Sequence, residues 1–270
     1  MRMNKFLRSI VLVLFLLFML IPLIATFLFS ISTRWDRTIL PEGLTLEWWK
    51  TVISRGTFGL TLRNSFYISF ATAIALTFLV TPIAYWVHIR IPKSKIIFEI
   101  MSAFSFGIPG VILALALIRF YSGIPIPLIN TTNILLLACM ELCFPFMYRP
   151  VANSLDSIDI HTLSEASQSL GGNWFYTFLH VILPNIFPGI ASGFLLVFST
   201  VFAEFTLTNL LVGARFKTFP IYLVEFTRFD GRQASALATI SFVAAWTVSI
   251  LLLLISGKRT LSSDNLTIGH

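Results

Sequence analysis

Residues 161–184 read HTLSEASQSLGGNWFYTFLHVILP, a polar, glycine-broken stretch between two long apolar runs. Thr162 and Glu165 have capping-box spacing, with the Thr162 hydroxyl accepting from the Glu165 amide and the Glu165 carboxylate reaching back. That predicts a short helix from Leu163 to Leu170, with Leu163, Ala166 and Leu170 on one apolar face at i, i+3 and i+7. Gly171 and Gly172 stop it by supplying the positive φ that many helix ends need. Asn173 is placed to cap a second helix opening with Trp174 and Phe175. Pro184, one turn before the next apolar run, is expected to bend the chain into it. A helix of two turns is not stable alone in water, so this one needs a partner, either the surrounding domain or another protein.

Outward from this stretch the chain is too apolar for water. Of its 270 residues, 56% are hydrophobic and 11% charged, and 27 are Phe. A soluble domain carries about 25% charged residues, so these numbers exclude a soluble globule and, equally, a disordered chain. The apolar residues fall into six runs of the length a membrane-crossing helix needs. They cover Ile10 to Ile31, Asn64 to Val87, about Ile96 to Tyr121, about Thr132 to Tyr148, roughly Ile186 to Leu211, and Ala234 to Ser256. The first run is longer than the apolar core of a secretory leader and no small-x-small cleavage site closes it, so it reads as an uncleaved helix. The fold class expected is therefore all-α, a polytopic membrane protein with six transmembrane helices.

A net charge of +7 would point to nucleic acid in a soluble protein; here the basic residues sit in short segments between apolar runs, so no nucleic-acid partner is expected, only membrane lipid. Six spans put both termini on one side. Lysines and arginines divide almost evenly between the two sides, and counting them does not decide which is inside. Trp48 and Trp49 suit a membrane interface. Cys139 and Cys143, one turn apart in an apolar run, are neither a disulfide framework nor a metal site; they read as small lipid- or helix-facing side chains. None of His88, His161, His180 and His270 has a metal-ligand partner at i+3 or i+4, and no phosphate-binding glycine loop occurs, so no metal, cofactor or ATP site is expected.

Ionisable groups at membrane depth are costly, about 2.5–3.5 kcal/mol at a helix centre on insertion scales, and normally face a cavity or a partner. Glu141 in the fourth run and Glu204 in the fifth, the latter near Thr206, Thr208 and Asn209, are candidates to line a substrate pathway. Their alternative is a helix–helix hydrogen bond without substrate contact. Arg119 reads as a residue that snorkels to the interface. Gly107-Ile108-Pro109-Gly110 either breaks the third span beside a pathway or kinks it for packing. Gly189 and Gly193, with Ser192 beside them, form the small-xxx-small pattern of close helix approach.

The run Glu165-Ala166-Ser167, then Gly171, then Val181-x-Leu183-Pro184 resembles the EAA loop of permease subunits of binding-protein-dependent ABC importers: Glu-Ala-Ala, three residues, Gly, nine residues, Ile, one residue, Leu-Pro. Every spacing fits; Ser167 for Ala and Val181 for Ile are mild departures. The resemblance covers about residues 60–256, with Asn64-Ser65 opening the second span and Pro109-Gly110 in the third. It implies the type I importer (MetI-like) permease fold, and it is nearest to the spermidine/putrescine and 2-aminoethylphosphonate permeases.

Several expectations follow from the resemblance. The loop is cytoplasmic and docks its short helix on a separate ATPase subunit, which places both termini in the cytoplasm of a multi-pass inner-membrane protein. Thr162, Leu163, Glu165, Ala166, Ser167, Leu170, Gly171, Leu183 and Pro184 couple to the ATPase, with Glu165 either capping its helix or meeting a basic residue of that partner. Partners are two ATPase copies, a second homologous permease and an extracytoplasmic substrate-binding protein. Residues 1–61 form an anchor helix and outer loop, 62–257 the permease core, and 258–270 a cytoplasmic tail. The chain itself is not an enzyme: the polar groups at membrane depth are too scattered for catalysis. An ion-coupled secondary transporter would show internal repeats and paired broken helices, which the sequence lacks. Glu204 and Glu141 favour a cationic or amine-bearing solute, and the resemblance adds polyamines, aminoethylphosphonate or ferric iron.

Overall fold

The computed structural model describes residues 5–36, 38–123 and 131–267, with side chains described for 9–36, 38–123 and 131–254. Most of the charge-free connection at 122–131 and the side chains of the 258–270 tail lie outside the described residues, as do the side chains of Arg2, Lys5 and Arg8. The chain is built from helices: α1 (Lys5–Ser30), α2 (Glu47–Ser54), α3 (Thr57–Arg90), α4 (Lys95–Gly107), α5 (Gly110–Ser122), α6 (Thr132–Asp156), α7 (Ile160–Ser169), α8 (Trp174–Thr177), α9 (Leu183–Asn185), α10 (Phe187–Phe202), α11 (Thr206–Leu211), α12 (Phe219–Thr227) and α13 (Gly231–Thr267). Among the described residues the one extended pairing is an isolated antiparallel bridge between Ser32 and Leu44.

Stretches of α1, α3, α6 and α13 are each long and apolar enough to cross a membrane, and two bent pairs bring the number of spans to six when each pair counts as one. The third span is a full break. The helix ending at Gly107 and the helix starting at Gly110 meet at 99°, because Pro109 is extended (φ −61°, ψ 136°) and has no N–H to continue the ladder. The fifth span also departs from a continuous helix over Ile186 to Leu211. Residues 174–185 meet α10 at 74°, and α10 ends at Phe202, with α11 a separate helix beyond Glu204. A π-turn at Phe178–Ile182 precedes Pro184, but the bend expected at Pro184 falls two residues later, at Ile186, where α9 ends and Pro188 opens α10. The fourth span outruns its expected end at Tyr148 and continues through Pro150 to Asp156.

Two compact units are distinguished, residues 1–61 with 222–244, and residues 62–221 with 245–270. In the first, the indole N–H of Trp48 donates to the Ser32 carbonyl (2.8 Å) and that of Trp49 to the Ser30 hydroxyl (3.2 Å). The guanidinium of Arg232 lies 4.3 Å from the centre of the Trp48 ring and donates to the Thr33 carbonyl. The apolar side chains of α1 from Ile10 to Ile21 are all exposed, as a lipid-facing helix requires.

The second unit holds the core. Helix α3 buries a helical stripe through Ile68, Leu76, Val80, Ala84 and Tyr85. Helices α6 and α10 pack closest where α10 presents glycine. A Cβ at Gly189 would meet the Pro150 carbonyl oxygen at 2.5 Å, and one at Gly193 would meet the Met147 sulfur at 2.8 Å. The predicted small-xxx-small pair is thus the contact surface of α10 on α6. Cys139 and Cys143 are fully buried free thiols, facing helices and not lipid. Asn64 and Ser65 tie α3 to the segment entering α12: Asn64 donates to the Lys217 carbonyl (2.9 Å), and Ser65 accepts from the Phe219 amide (2.8 Å).

Candidate functional site

The helix–break–helix predicted at 161–184 is present, with its start and its faces rearranged. Helix α7 begins at Ile160, and its cap is Asp159, not Thr162. The Asp159 carboxylate accepts from both the amide (3.1 Å) and the hydroxyl (2.7 Å) of Thr162. Those two donors hold the Asp159 carboxyl below its ordinary range, the hydroxyl foremost. A carboxylate one turn upstream satisfies two donors where the Thr162 hydroxyl would have satisfied one, so the helix gains a turn and Glu165 is left exposed on its surface.

The predicted apolar face is mostly turned outward. Ile160, Ser164 and Ser167 are buried, Leu163 is partly buried, Ala166 is exposed, and Leu170 is 90% exposed. The inward face is set by small hydroxyls: Ser167 pairs with Thr177 (2.8 Å) and Ser164 with the Tyr85 phenol (3.3 Å). Serines bring α7 closer to its neighbours than leucines would, while giving every hydroxyl a partner. The apolar residues then line an open cavity of about 520 Å³ with Tyr176 and Val181.

Gly171 carries φ +88° and its amide donates to the Gln168 carbonyl (2.9 Å), a turn no L-residue adopts without strain. Gly172 is needed for space, since a Cβ there would meet the Ser167 carbonyl oxygen at 2.9 Å. Asn173 caps α8 as expected, accepting from the Tyr176 amide at 2.8 Å. Leu183 is partly buried and Pro184 exposed in the short α9.

Beneath the loop, Trp174 and Phe178 stack on each other (5.9 Å) and both stack on Tyr85 of α3 (5.8 and 5.2 Å). Asp156, three residues before the Asp159 cap, receives the Lys95 ammonium at 2.6 and 2.7 Å and faces Nε2 of His88 at 3.3 Å. Because Nδ1 of His88 must donate to the Ala84 carbonyl (2.7 Å), that second contact is attractive only for the imidazolium ion. Sequence reasoning missed Asp159, Tyr85 and Asp156. Asp159 had a signal, an acidic residue three before Thr162. The contacts of Tyr85, from a span 79 residues earlier, had none.

Glu141 and Glu204 have different surroundings. Glu204 follows the end of α10, and its Oε1 accepts from the Leu207 amide at 2.6 Å, capping α11. Thr208 is buried and bonds back to the Glu204 carbonyl, whereas Asn209 is exposed. Glu141 lies mid-helix in α6 with Ser105 of α4 as hydrogen-bond partner, and its Oε2 is buried without one. Arg119 is exposed.

Comparison with known proteins places this geometry. The family model described as "Binding-protein-dependent transport system inner membrane component" matches residues 81–260. An Fe(3+)-transport system permease protein of Haemophilus influenzae is 31% identical over 174 residues, 64% of this chain and 34% of that one. A spermidine/putrescine transport system permease protein from the same organism is 33% identical over 109 residues, 40% of this chain and 38% of the other. The match thus spans about a third of the length of these two relatives. The spermidine/putrescine permease PotC of Escherichia coli is 24% identical over 225 residues, covering 81% of this chain and 82% of its own. In fold, the chain superposes on a bacterial ABC transporter involved in alginate import with a TM-score of 0.74 at 18% identity, over 94% of this chain and 98% of that one. From its loop to its bent spans, then, the chain belongs to the family of inner membrane components of binding-protein-dependent transport systems, the permeases of ABC importers.

Proposed function

We propose that this permease forms a translocation pathway with a second permease and is driven by ATPase subunits that seat on α7. The supporting observation is the exposure of Ala166 and Leu170, with the half-buried Leu163 beside them, around an open cavity next to the exposed Glu165. A helix of ten residues that spends Ile160, Ser164 and Ser167 on its own domain and leaves Ala166 and the following Leu170 exposed is suited to receive another protein. With Asp159 as the cap, Glu165 is free for a basic residue of that partner. Rotation of the ATPases would reach the spans through Tyr85, Trp174 and Phe178. The loop, Ser94 and both termini are cytoplasmic in this reading, residues 1–61 serve as anchor and outer loop, and a binding protein delivers solute from outside. Polyamines are the proposed cargo, on the spermidine/putrescine relatives; the ferric relative supports iron as the second reading.

Co-purification tests the partner. The wild-type assembly should retain an ATPase, and Glu165→Lys should release it while the permease stays in the membrane; full retention in the variant would remove α7 from the interface. Thiol labelling tests the orientation. With Cys139 and Cys143 changed to Ala, Ser94→Cys and Ser169→Cys should react only with permeant reagents in intact cells, and Gly43→Cys from outside. The reverse pattern would invert the topology.

A further inference from the structure

An unspent carboxylate oxygen marks a second place in the molecule where a ligand is wanted. Glu141 stands near the middle of α6, where each backbone N–H is already used by the helix ladder, so no amide is free to satisfy it. Ser105 takes one part of the carboxylate; Oε2 is buried and has no hydrogen-bond partner. The Glu141 side chain borders an open cavity of about 410 Å³ lined by α3, α4 and α6. The walls are otherwise apolar: Leu76 and Leu79 from α3, Met101 and Phe104 from α4, Met140 and Phe144 from α6. Phe104 is 68% exposed, so the cavity opens outward from the unit and is not sealed.

A carboxylate at membrane depth is normally stabilised by a counter-charge or by a hydrogen-bonded network, and this one has Ser105 for one oxygen and no hydrogen-bond partner for the other. Two aromatic rings and two thioethers beside a negative oxygen match one ligand chemistry well. A ring face attracts an ammonium group, worth about 0.5–2 kcal/mol per contact, while methylenes pack on Leu and Met side chains. A plain anion would meet Glu141 with like charge, and a neutral sugar would find hardly any hydrogen-bonding groups among these walls. We propose that this cavity is a subsite for an alkylammonium group, with Glu141 as its counter-charge and Phe104 and Phe144 as its aromatic walls. The proposal rests on the reading of this chain as a pathway-forming permease, and it locates the amine at Glu141, not Glu204, whose carboxylate is committed to the Leu207 amide. Ser105 and Phe104 lie within three residues of the Gly107 end of α4, so a change in the 99° bend would reshape the subsite. That gives a route by which pathway motion releases the amine.

The test measures retention of radiolabelled spermidine by the purified transporter in lipid nanodiscs without its binding protein, with n-butylammonium as competitor. Glu141→Gln preserves the shape and the Ser105 hydrogen bond and deletes only the charge; retention should fall at least tenfold. Glu141→Asp keeps the charge and should recover most of it, and Glu204→Gln should leave retention unchanged. Equal retention by wild type and Glu141→Gln would overturn the proposal, since a purely structural Glu141–Ser105 pin tolerates Gln. Loss in Glu204→Gln as deep as in Glu141→Gln would also overturn it. The readout is direct binding, so it separates from the coupling reading: Glu165→Lys could leave ATPase capture intact, defeating that reading, while spermidine retention still depended on Glu141.

Discussion

Helices α7 and α11 each begin just after an acidic side chain whose carboxylate takes a backbone amide, and they become opposite kinds of object. Asp159 accepts from Thr162 at the head of the ten-residue α7; Glu204 accepts from Leu207 at the head of the six-residue α11. Helix α11 turns Leu207, Thr208 and Leu211 inward, all but fully buried, against α5 and α6. Helix α7 turns serines inward and leucine outward. The same local device, an acidic cap on a short helix, thus yields a structural wedge in one place and an exposed surface in the other. What separates them is which face holds the apolar residues. The first should fail through packing, the second through loss of a partner.

The largest expected effect lies at the end of α7. Gly171→Pro would lock φ near −65° where +88° is needed and delete the amide that donates to Gln168. Uptake should be abolished, while the thermal midpoint of the detergent-solubilised permease stays within a few degrees of wild type, because nothing in the α6–α10 core depends on this turn. A collapse of both together would mean that α7 is as structural as α11.

Next in size is a packing loss at α11. Leu207 is fully buried and lies against Gly110, at the break between α4 and α5. Leu207→Ala should cost about 2–5 kcal/mol by cavity formation, read as a lowered denaturation midpoint. Leu170→Ala on the exposed face of α7 should leave that midpoint unchanged and weaken ATPase capture instead. If the two alanine variants lost stability alike, the contrast between the helices would be false.

A smaller effect separates cap from charge. Glu204→Ala removes the acceptor for the Leu207 amide and should cost about 0.5–2 kcal/mol, as other cap losses do. Glu204→Gln keeps a carbonyl acceptor and should restore most of it. A Gln variant as unstable as Ala would show that the negative charge, not the hydrogen bond, holds α11.

How much of this could be read beforehand follows from the range of the interactions involved. The six apolar runs, the Gly171 turn, the Asn173 cap and the Gly189–Gly193 pair were legible because each is written as a pattern within one continuous stretch of chain. The Asp159 cap was nearly legible; a capping box at Thr162 competed with it, and only geometry shows that the earlier carboxylate takes both Thr162 donors. The outward face of α7 was not legible, because a leucine face pointing inward is the ordinary outcome, and the reversal depends on Tyr85 and Thr177 supplying partners for Ser164 and Ser167. The roles of Glu141 and Glu204 looked alike in sequence for the same reason. Whether a backbone amide is free beside a carboxylate depends on where a helix stops, and the stop at Phe202 is not written in any proline or glycine.

The smallest effect is acid sensitivity confined to α7. The Thr162 hydroxyl and amide bond the ionised form of Asp159 and depress its folded-state pKa below the unfolded value. A depressed carboxylate contributes stability that is fully present above its unfolded pKa, about 3.9 for Asp, and is lost as pH falls through the lower folded value. Helix α7 should therefore be unaffected between pH 7 and pH 5 and loosen only below about pH 4. Hydrogen–deuterium exchange of a peptide covering residues 160–170 in the intact permease, corrected for the intrinsic pH dependence of exchange, reads this directly. Asp159→Ala should raise exchange at pH 7 and flatten the acid response, while peptides from α6 and α10 stay protected throughout. An acid response in the Ala variant equal to that of wild type would assign the loosening to another group.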